Sequence, residues 1–166
     1  MKRLIKVQFR RRRENKTNYT SRARKLIGGM ARLVVRRSNR YLTAQIVTSQ
    51  RAQDAVVLSV NSKDLTEYGW PESTSVKNLA AGYLLGFLIA AKAKKANIEK
   101  ATLDLGLFRS TKGNRLYAVA KGAIDGGLDV PHSAEILPPM DRIDRKDATI
   151  KVDLKKIKET ILSKNK

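Results

Sequence analysis

Alternation of apolar and polar residues predicts a β-hairpin in the first third of the chain. The segment Arg32-Leu33-Val34-Val35-Arg36-Arg37 is short and rich in β-branched residues, which favour strands. Over residues 41–48, apolar side chains at every second position alternate with a second set of residues, namely Leu42, Ala44 and Ile46 against Thr43, Gln45 and Val47. The pair Ser38-Asn39 between the two runs is typical of a tight turn. We therefore predict two antiparallel strands.

The pattern changes twice between strand and helix after this hairpin. Residues 55–60 and 101–105 are apolar or alternating and predict two further strands. Residues 76–91 repeat apolar side chains at helical spacing, with Ser73 or Thr74 as the predicted cap. Residues 116–124 repeat the helical spacing before Gly126-Gly127. The order predicts an α/β fold in which a mixed β-sheet packs with helices: a hairpin, then strand, helix, strand and helix.

A charged helix is predicted near the carboxyl end of the chain. It starts near Asp153, and Leu154, Ile157 and Ile161 fall on one face at helical spacing. We expect these three side chains to form its buried side.

Charge separates the amino-terminal quarter from the rest. The chain has 166 residues, with 35 Lys and Arg against 15 Asp and Glu, for a net charge of +20. Residues 1–40 hold 15 of the basic residues and a single acid, Glu14, whereas residues 41–90 are close to neutral. This asymmetry predicts a basic arm on an ordinary globular body, and an excess of this size favours a polyanionic partner. We divide the chain into a basic arm (1–30), for which RNA is the expected polyanion, an α/β core (31–147) and a charged helical extension (148–166).

Several classes of protein are disfavoured by what the sequence lacks. It contains no cysteine, which excludes disulfides, thiolate chemistry and Cys-containing zinc sites. The longest apolar run, residues 79–91, is shorter than the ~20 residues of a membrane span and predicts a buried core helix. The amino terminus has no apolar stretch of the secretory type. We expect a cytoplasmic protein without a membrane partner.

The arm carries the first set of candidate nucleic-acid contacts. Guanidinium groups bind phosphate in a bidentate manner, and aromatic rings stack on unpaired bases. A solvated tail or a localisation signal is the alternative interpretation. The candidate residues are Arg10, Arg11, Arg12, Arg13, Lys16, Tyr19, Arg22, Arg24 and Lys25.

The predicted hairpin tip carries the second set, Arg36, Arg37, Ser38, Asn39 and Arg40. A rigid ribbon with arginines at its turn can enter a groove or hold a phosphate backbone. The same charges could equally prevent aggregation of an exposed strand edge.

Motifs for catalysis or for a cofactor are weak. The run Lys121-Gly122-Ala123-Ile124-Asp125-Gly126-Gly127 matches neither the P-loop nor the dinucleotide-binding pattern, and glycines that end a helix explain it better. His132 is the only histidine, so no histidine pair can bind a metal. We predict no cofactor and no metal. An RNA-modifying enzyme and a DNA-compacting architectural protein remain the alternative functions.

Short motifs in a defined order carry a resemblance to a known family. Together they resemble the archaeal form of the large-subunit ribosomal protein eighteen family, over about residues 8–145. The motifs are Arg12-Arg13-Glu14-Asn15-Lys16-Thr17-Asn18-Tyr19, Arg32-Leu33-Val34-Val35-Arg36 with Ser38-Asn39, Asn78-Leu79-Ala80-Ala81, Leu103-Asp104-Leu105-Gly106-Leu107, Lys121-Gly122-Ala123 with Asp125-Gly126-Gly127-Leu128, and Pro131-His132-Ser133.

This resemblance implies a non-enzymatic role. Proteins of the family bind 5S rRNA and join it to the large-subunit rRNA in the central protuberance, with ribosomal protein five of the same subunit as a neighbour. By position, the arm and the hairpin tip would bind RNA. The turn that ends at His132 would also face RNA, although a purely structural turn explains it as well.

Overall fold

A four-stranded mixed sheet forms the centre of the computed structural model, which describes residues 7–50, 53–144 and 153–164. The order across the sheet is β3-β2-β1-β4; β1 pairs antiparallel with β2 and parallel with β4, and β2 pairs antiparallel with β3. The predicted mixed sheet and its hairpin are therefore confirmed. The strands are β1 (Ala31–Arg37), β2 (Leu42–Gln50), β3 (Gln53–Asn61) and β4 (Ala101–Asp104).

Helices lie on both sides of this sheet, and the long ones cover one face. The α-helices in the described residues are α1 (Arg10–Arg13), α2 (Tyr19–Ile27), α3 (Leu79–Lys95), α4 (Arg115–Asp125), α5 (Met140–Ile143) and α6 (Leu154–Lys164). Two 3₁₀ turns, Ser62–Tyr68 and Ala134–Ile136, connect them. Helices α3 and α4 pack on one face, where Leu33, Val35, Leu42, Ala44 and Ile46 are fully buried. We call the opposite face, covered in part by α2, the arm face.

Helix α3 is buried on almost every side because the sheet, α4 and α6 all pack against it. The predicted core helix is confirmed, and in the described residues no helix is long and apolar enough to cross a membrane. Its predicted start is wrong: the helix begins at Leu79, and the side chain of Asn78 accepts a hydrogen bond from the Ala81 amide at 2.7 Å. An Asn next to the first turn satisfies an otherwise unpaired amide, so Ser73 and Thr74 lie outside the helix.

Glycines allow α3 and α4 to lie unusually close together. A Cβ atom added at Gly86 would overlap the Val119 carbonyl group, and one added at Gly122 would overlap the Tyr83 carbonyl group. Gly127, with φ +99°, does end α4 in a left-handed conformation, as predicted for this cluster. Gly122 has a different role, which is to let two helix backbones touch.

Helix α6 packs against α3 through the predicted apolar side, since Leu154, Ile157 and Ile161 are all buried. Beside them Lys158 donates a hydrogen bond to the Tyr83 hydroxyl at 2.7 Å. Burial and the hydrogen bond that Tyr83 donates to Asp125 raise the pKa of Tyr83. The carboxyl-terminal helix is thus joined to the core by both apolar and polar contacts.

Candidate nucleic-acid interface

The four consecutive arginines of the arm form α1, and all of them are exposed. The Arg11 Nε donates to the Thr17 hydroxyl at 2.9 Å, and Glu14 lies 2.8 Å from Lys16 and 3.8 Å from Arg10. Arg12 and Arg13 have no carboxylate partner among the described residues. Since a single helical turn directs successive side chains about 100° apart, these guanidinium groups point in several directions.

Two aromatic rings lie beside α1. Phe9 and Tyr19 have ring centroids 5.2 Å apart with planes tilted by 55°, and the residues are 74% and 38% exposed. Exposed aromatic rings next to arginines are suited to stacking on unpaired bases.

Helix α2 was missed by the sequence analysis, and it holds the arm against the sheet. Asn18 caps it, accepting from the Ser21 amide at 3.2 Å. Arg22 donates two hydrogen bonds to Asp54, at 2.8 and 2.9 Å, and Lys25 donates one to Asp104 at 2.8 Å. The side chains of Arg22 and Lys25 thus face the sheet, whereas Arg24 is exposed.

A buried arginine connects the two carboxylates on the arm face. Arg32 is only 3% exposed and donates to Asp104 at 3.0 Å, to Asp54 at 2.7 Å and to Ser49 at 3.0 Å. The hydrogen bonds from Arg22, assisted by Ser49 and Arg32, hold the pKa of Asp54 well below its usual range.

The pKa of Asp104 is also lowered, although burial acts more strongly against its ionisation. Burial opposes its ionisation, but the hydrogen bonds from Lys25 and the Gly106 amide, together with the charges of Lys25 and Arg36, outweigh that cost. Asp104 is therefore ionised at neutral pH, and it pairs with cations from α2 and β1. We call Arg22, Lys25, Arg32, Asp54 and Asp104 the arm-face network.

A cleft of about 310 Å³ lies between the arm and the arm face of the sheet. Val34, Val47 and Val56 contribute apolar side chains to it. Six cationic side chains and two carboxylates also line it, namely Arg11, Lys16, Arg22, Lys25, Arg32 and Arg36 with Asp54 and Asp104. The cleft is electropositive, and the described residues contain no group of three or more His, Asp or Glu side chains that could hold a metal ion.

The hairpin tip divides its arginines between the two faces of the sheet. The Ser38 amide donates to the Tyr41 carbonyl at 2.8 Å and closes the turn. Arg36 turns to the arm face and donates to the Asp104 carbonyl at 2.7 Å, while Arg37 turns to the helix face and lies 5.2 Å from the centre of the Phe108 ring. Arg40 is exposed at the tip. Lys77 donates to the Asn39 carbonyl at 2.9 Å, which ties the tip to the segment before α3.

His132 lies in an exposed turn after α4, with its Nδ1 2.8 Å from the Val130 carbonyl oxygen. Leu128 and Val130 on either side of Asp129 are buried, and Lys100 forms a β-bridge with Asp129. The turn is therefore fixed to the core, and its imidazole faces solvent.

The structure brings most of the predicted residues to one side of the molecule but gives them two kinds of environment. Arg10 to Arg13, Lys16, Tyr19, Arg24, Arg37 and Arg40 present charge or an aromatic ring to solvent, while Arg22, Lys25 and Arg36 bond to the protein itself. Arg32, Asp54 and Asp104 were not among the predicted site residues. An arginine inside the apolar run of β1 was the only available signal, because its carboxylate partners come from distant strands.

Comparison with known proteins places the chain in a family. The family described as "Ribosomal large subunit proteins 60S L5, and 50S L18" matches residues 3–100 and 91–133. In that description L5 designates members of the family itself, not the neighbouring protein five that the resemblance implies.

Similar archaeal proteins carry the name large ribosomal subunit protein uL18. The protein of Korarchaeum cryptofilum is 53% identical over 138 residues, which are 83% of this chain and 70% of that protein. The protein of Methanoregula boonei is 47% identical, over 82% of this chain and 78% of its own length. That of Halobacterium salinarum is 47% identical, over 82% and 74%. The chain therefore belongs to the uL18 family, whose members are structural, non-enzymatic proteins of the cytoplasmic large ribosomal subunit.

Proposed function

We propose that this protein binds 5S rRNA and anchors it to the large-subunit rRNA in the central protuberance, beside ribosomal protein five. The observation that carries the proposal is the set of exposed arginines on α1 and at the hairpin tip. Arg12, Arg13 and Arg40 have no carboxylate partner among the described residues, so their charge is available to a polyanion. In a large-subunit ribosomal protein that polyanion is RNA.

The proposed RNA contacts follow from which side chains face outward. Arg10, Arg11, Arg12, Arg13, Lys16, Arg24, Arg37 and Arg40 would bind phosphates, since guanidinium and ammonium groups neutralise the backbone. Tyr19 would stack on a base, and Ser38, Asn39 and His132 would donate or accept hydrogen bonds.

Arg22, Lys25 and Arg36 have a second role in this proposal. Their donors already bond to Asp54 and Asp104, so they set the position of α2 and of the hairpin relative to the sheet. These three residues would contact RNA through N–H groups that do not already bond within the protein.

The division of the chain into an arm (1–30), a core (31–147) and an extension (148–166) is part of the same proposal. The contacts of the arm-face network decide which truncation of the arm is the better experiment. Removal of residues 1–25 would delete Arg22 and Lys25 and leave Asp54 and Asp104 with fewer partners. Removal of residues 1–17 deletes α1 and leaves α2 and its Asn18 cap in place.

Replacement of all four α1 arginines by glutamine is expected to weaken 5S rRNA binding by about 100-fold at moderate salt, because phosphate contacts are lost. Each lost contact should also lower the log–log salt slope by ~0.7–0.9. Filter binding to 5S rRNA over a salt series measures both quantities. The control variant, K94Q/K95Q/K155Q/K156Q, removes the same charge from exposed lysines on α3 and α6.

Competition with duplex DNA distinguishes specific recognition of 5S rRNA from general electrostatic attraction to nucleic acid. The wild-type protein should prefer 5S rRNA to duplex DNA at physiological salt. The proposal is contradicted if the arginine and lysine variants bind 5S rRNA equally well, or if duplex DNA competes as strongly as 5S rRNA.

A further inference from the structure

A second basic cleft lies on the helix face of the sheet, at the N-terminal ends of α3 and α4. Its volume is about 440 Å³, and Arg37, Arg109, Arg115 and Arg142 line it. No acidic side chain lines it, and none of the four arginines has a carboxylate partner in the described ranges. We call it the helix-side cleft.

Four separate segments bring these arginines together. Arg37 ends β1, Arg109 follows β4, Arg115 is the first residue of α4, and Arg142 comes from α5. The guanidinium of Arg142 lies over Gly113, where an added Cβ would be 2.7 Å from its Nη1. The convergence is thus a property of the tertiary fold and is invisible in the local sequence.

Repulsion between the four guanidinium groups makes this arrangement unfavourable without a ligand. Four cations around one cavity repel one another, and among the described residues that line it there is no carboxylate to offset that repulsion. Leu79 and Arg115, the first residues of α3 and α4, both line the cleft, and the positive ends of two helix dipoles add to its field. A ligand with several negative charges removes the repulsion.

The arginines that line the cleft favour the phosphate backbone of RNA as its ligand. Arginine presents a planar fork of donors to phosphate oxygens, and arginines from four directions can hold successive phosphates. Phe108 lies under Arg37 at 5.2 Å, and this cation–π contact holds the guanidinium at the edge of the cleft.

This cleft lies on the other side of the sheet from the arm. Adjacent residues of a strand point to opposite faces, so Arg36 belongs to the arm face and Arg37 to the helix-side cleft. We propose that the helix-side cleft is an independent phosphate site for a second RNA segment, in the large-subunit rRNA, while the arm holds 5S rRNA. This inference rests on the proposed function and assigns a surface to its second RNA.

The triple variant R109Q/R115Q/R142Q tests the assignment. Filter binding to an archaeal large-subunit rRNA transcript, without 5S rRNA, should show at least a tenfold loss of affinity and a salt slope lower by about 2, as expected for the loss of three phosphate contacts. Affinity for 5S rRNA should change no more than in the control variant K94Q/K95Q/K155Q, which removes the same charge elsewhere.

Two results would overturn the inference. In the first, the triple variant behaves like the lysine control with both RNAs. In the second, it loses 5S rRNA affinity and retains its affinity for the large-subunit transcript. The α1 variant tests the proposed function separately, because its readout is 5S rRNA alone. If thermal unfolding shows that the triple variant does not fold, Arg109→Glu, at an exposed position, gives the same comparison with one substitution.

Discussion

Gly86→Ala is expected to destabilise the folded protein by about 3 kcal/mol or more, at the upper end of the cost of overpacking a core. The added methyl group would overlap the Val119 carbonyl group and lie 2.8 Å from the Ala123 amide nitrogen. Both obstacles are backbone atoms of α4, which cannot rotate away as a side chain can. The two helices must separate, and the apolar contacts between them are lost along their length.

Urea unfolding followed by circular dichroism measures this loss. Gly122→Ala should have a similar effect, since its methyl group would overlap the Tyr83 carbonyl group from the other helix. Gly28→Ala is the matched control: its φ is −71° and the nearest atom to the added Cβ is 3.7 Å away, so its cost should stay within about 0.5 kcal/mol. Equal stability of the Gly86 and Gly28 variants would contradict the close-contact explanation.

These glycines show where sequence reasoning reached its limit. Gly82 and Gly86 in α3, and Gly122 in α4 and Gly126 at its C-cap, are each four residues apart and so lie on one side of their helices. The spacing was visible, but which helix each side faces depends on tertiary packing. The glycines of this cluster were therefore interpreted only as a helix end, which is correct for Gly126 and Gly127 but not for Gly122.

The elements that the sequence predicted well have strong local signals. Alternation in β2 separates two environments, and the burial of Leu42, Ala44 and Ile46 follows it. The amphipathic side of α6 was equally clear. Helix α2 was missed because it lies within a strongly charged segment, and its only start signal, Asn18, is an ordinary polar residue.

The candidate site was predicted by residue type but not by role. Composition could not separate the cations of the arm that face solvent from those that bond inward. The cations that bond inward are those that contact Asp54 and Asp104. These two carboxylates lie next to α2 because β3 and β4 pair into the sheet. Most of the charge of the arm is thus exposed, while a smaller part fixes the position of the arm.

Asp104→Asn is expected to destabilise the protein by about 3 kcal/mol, because removing one partner of a buried ion pair leaves the other charge uncompensated. The Asp104 side chain is only 8% exposed and accepts hydrogen bonds from Lys25, Arg32 and the Gly106 amide. An asparagine there removes the charge and replaces one of the two acceptor oxygens with an NH2 group, which cannot accept from a cation. We expect α2 to leave the sheet, with earlier proteolysis in the arm and a lower urea midpoint at pH 7.

The pH dependence of the wild-type protein and the variant checks the cause. The folded-state pKa of Asp104 lies below its unfolded value of about 3.9, so its contribution to stability is complete above that pH and is lost as the pH falls through the folded pKa. The difference between wild type and Asp104→Asn should therefore be constant from about pH 5 to 8 and shrink below about pH 4. Asp129→Asn is the control, because Asp129 is 63% exposed and lies 3.7 Å from Lys100, a surface pair worth no more than about 1 kcal/mol. RNA binding gives a second criterion: the variant frees Lys25, while Arg36 keeps its hydrogen bond to the carbonyl of residue 104, so the salt slope for 5S rRNA should not fall. A cost no larger than that of the Asp129 variant, or one that persists unchanged at pH 3, would contradict the role assigned to Asp104.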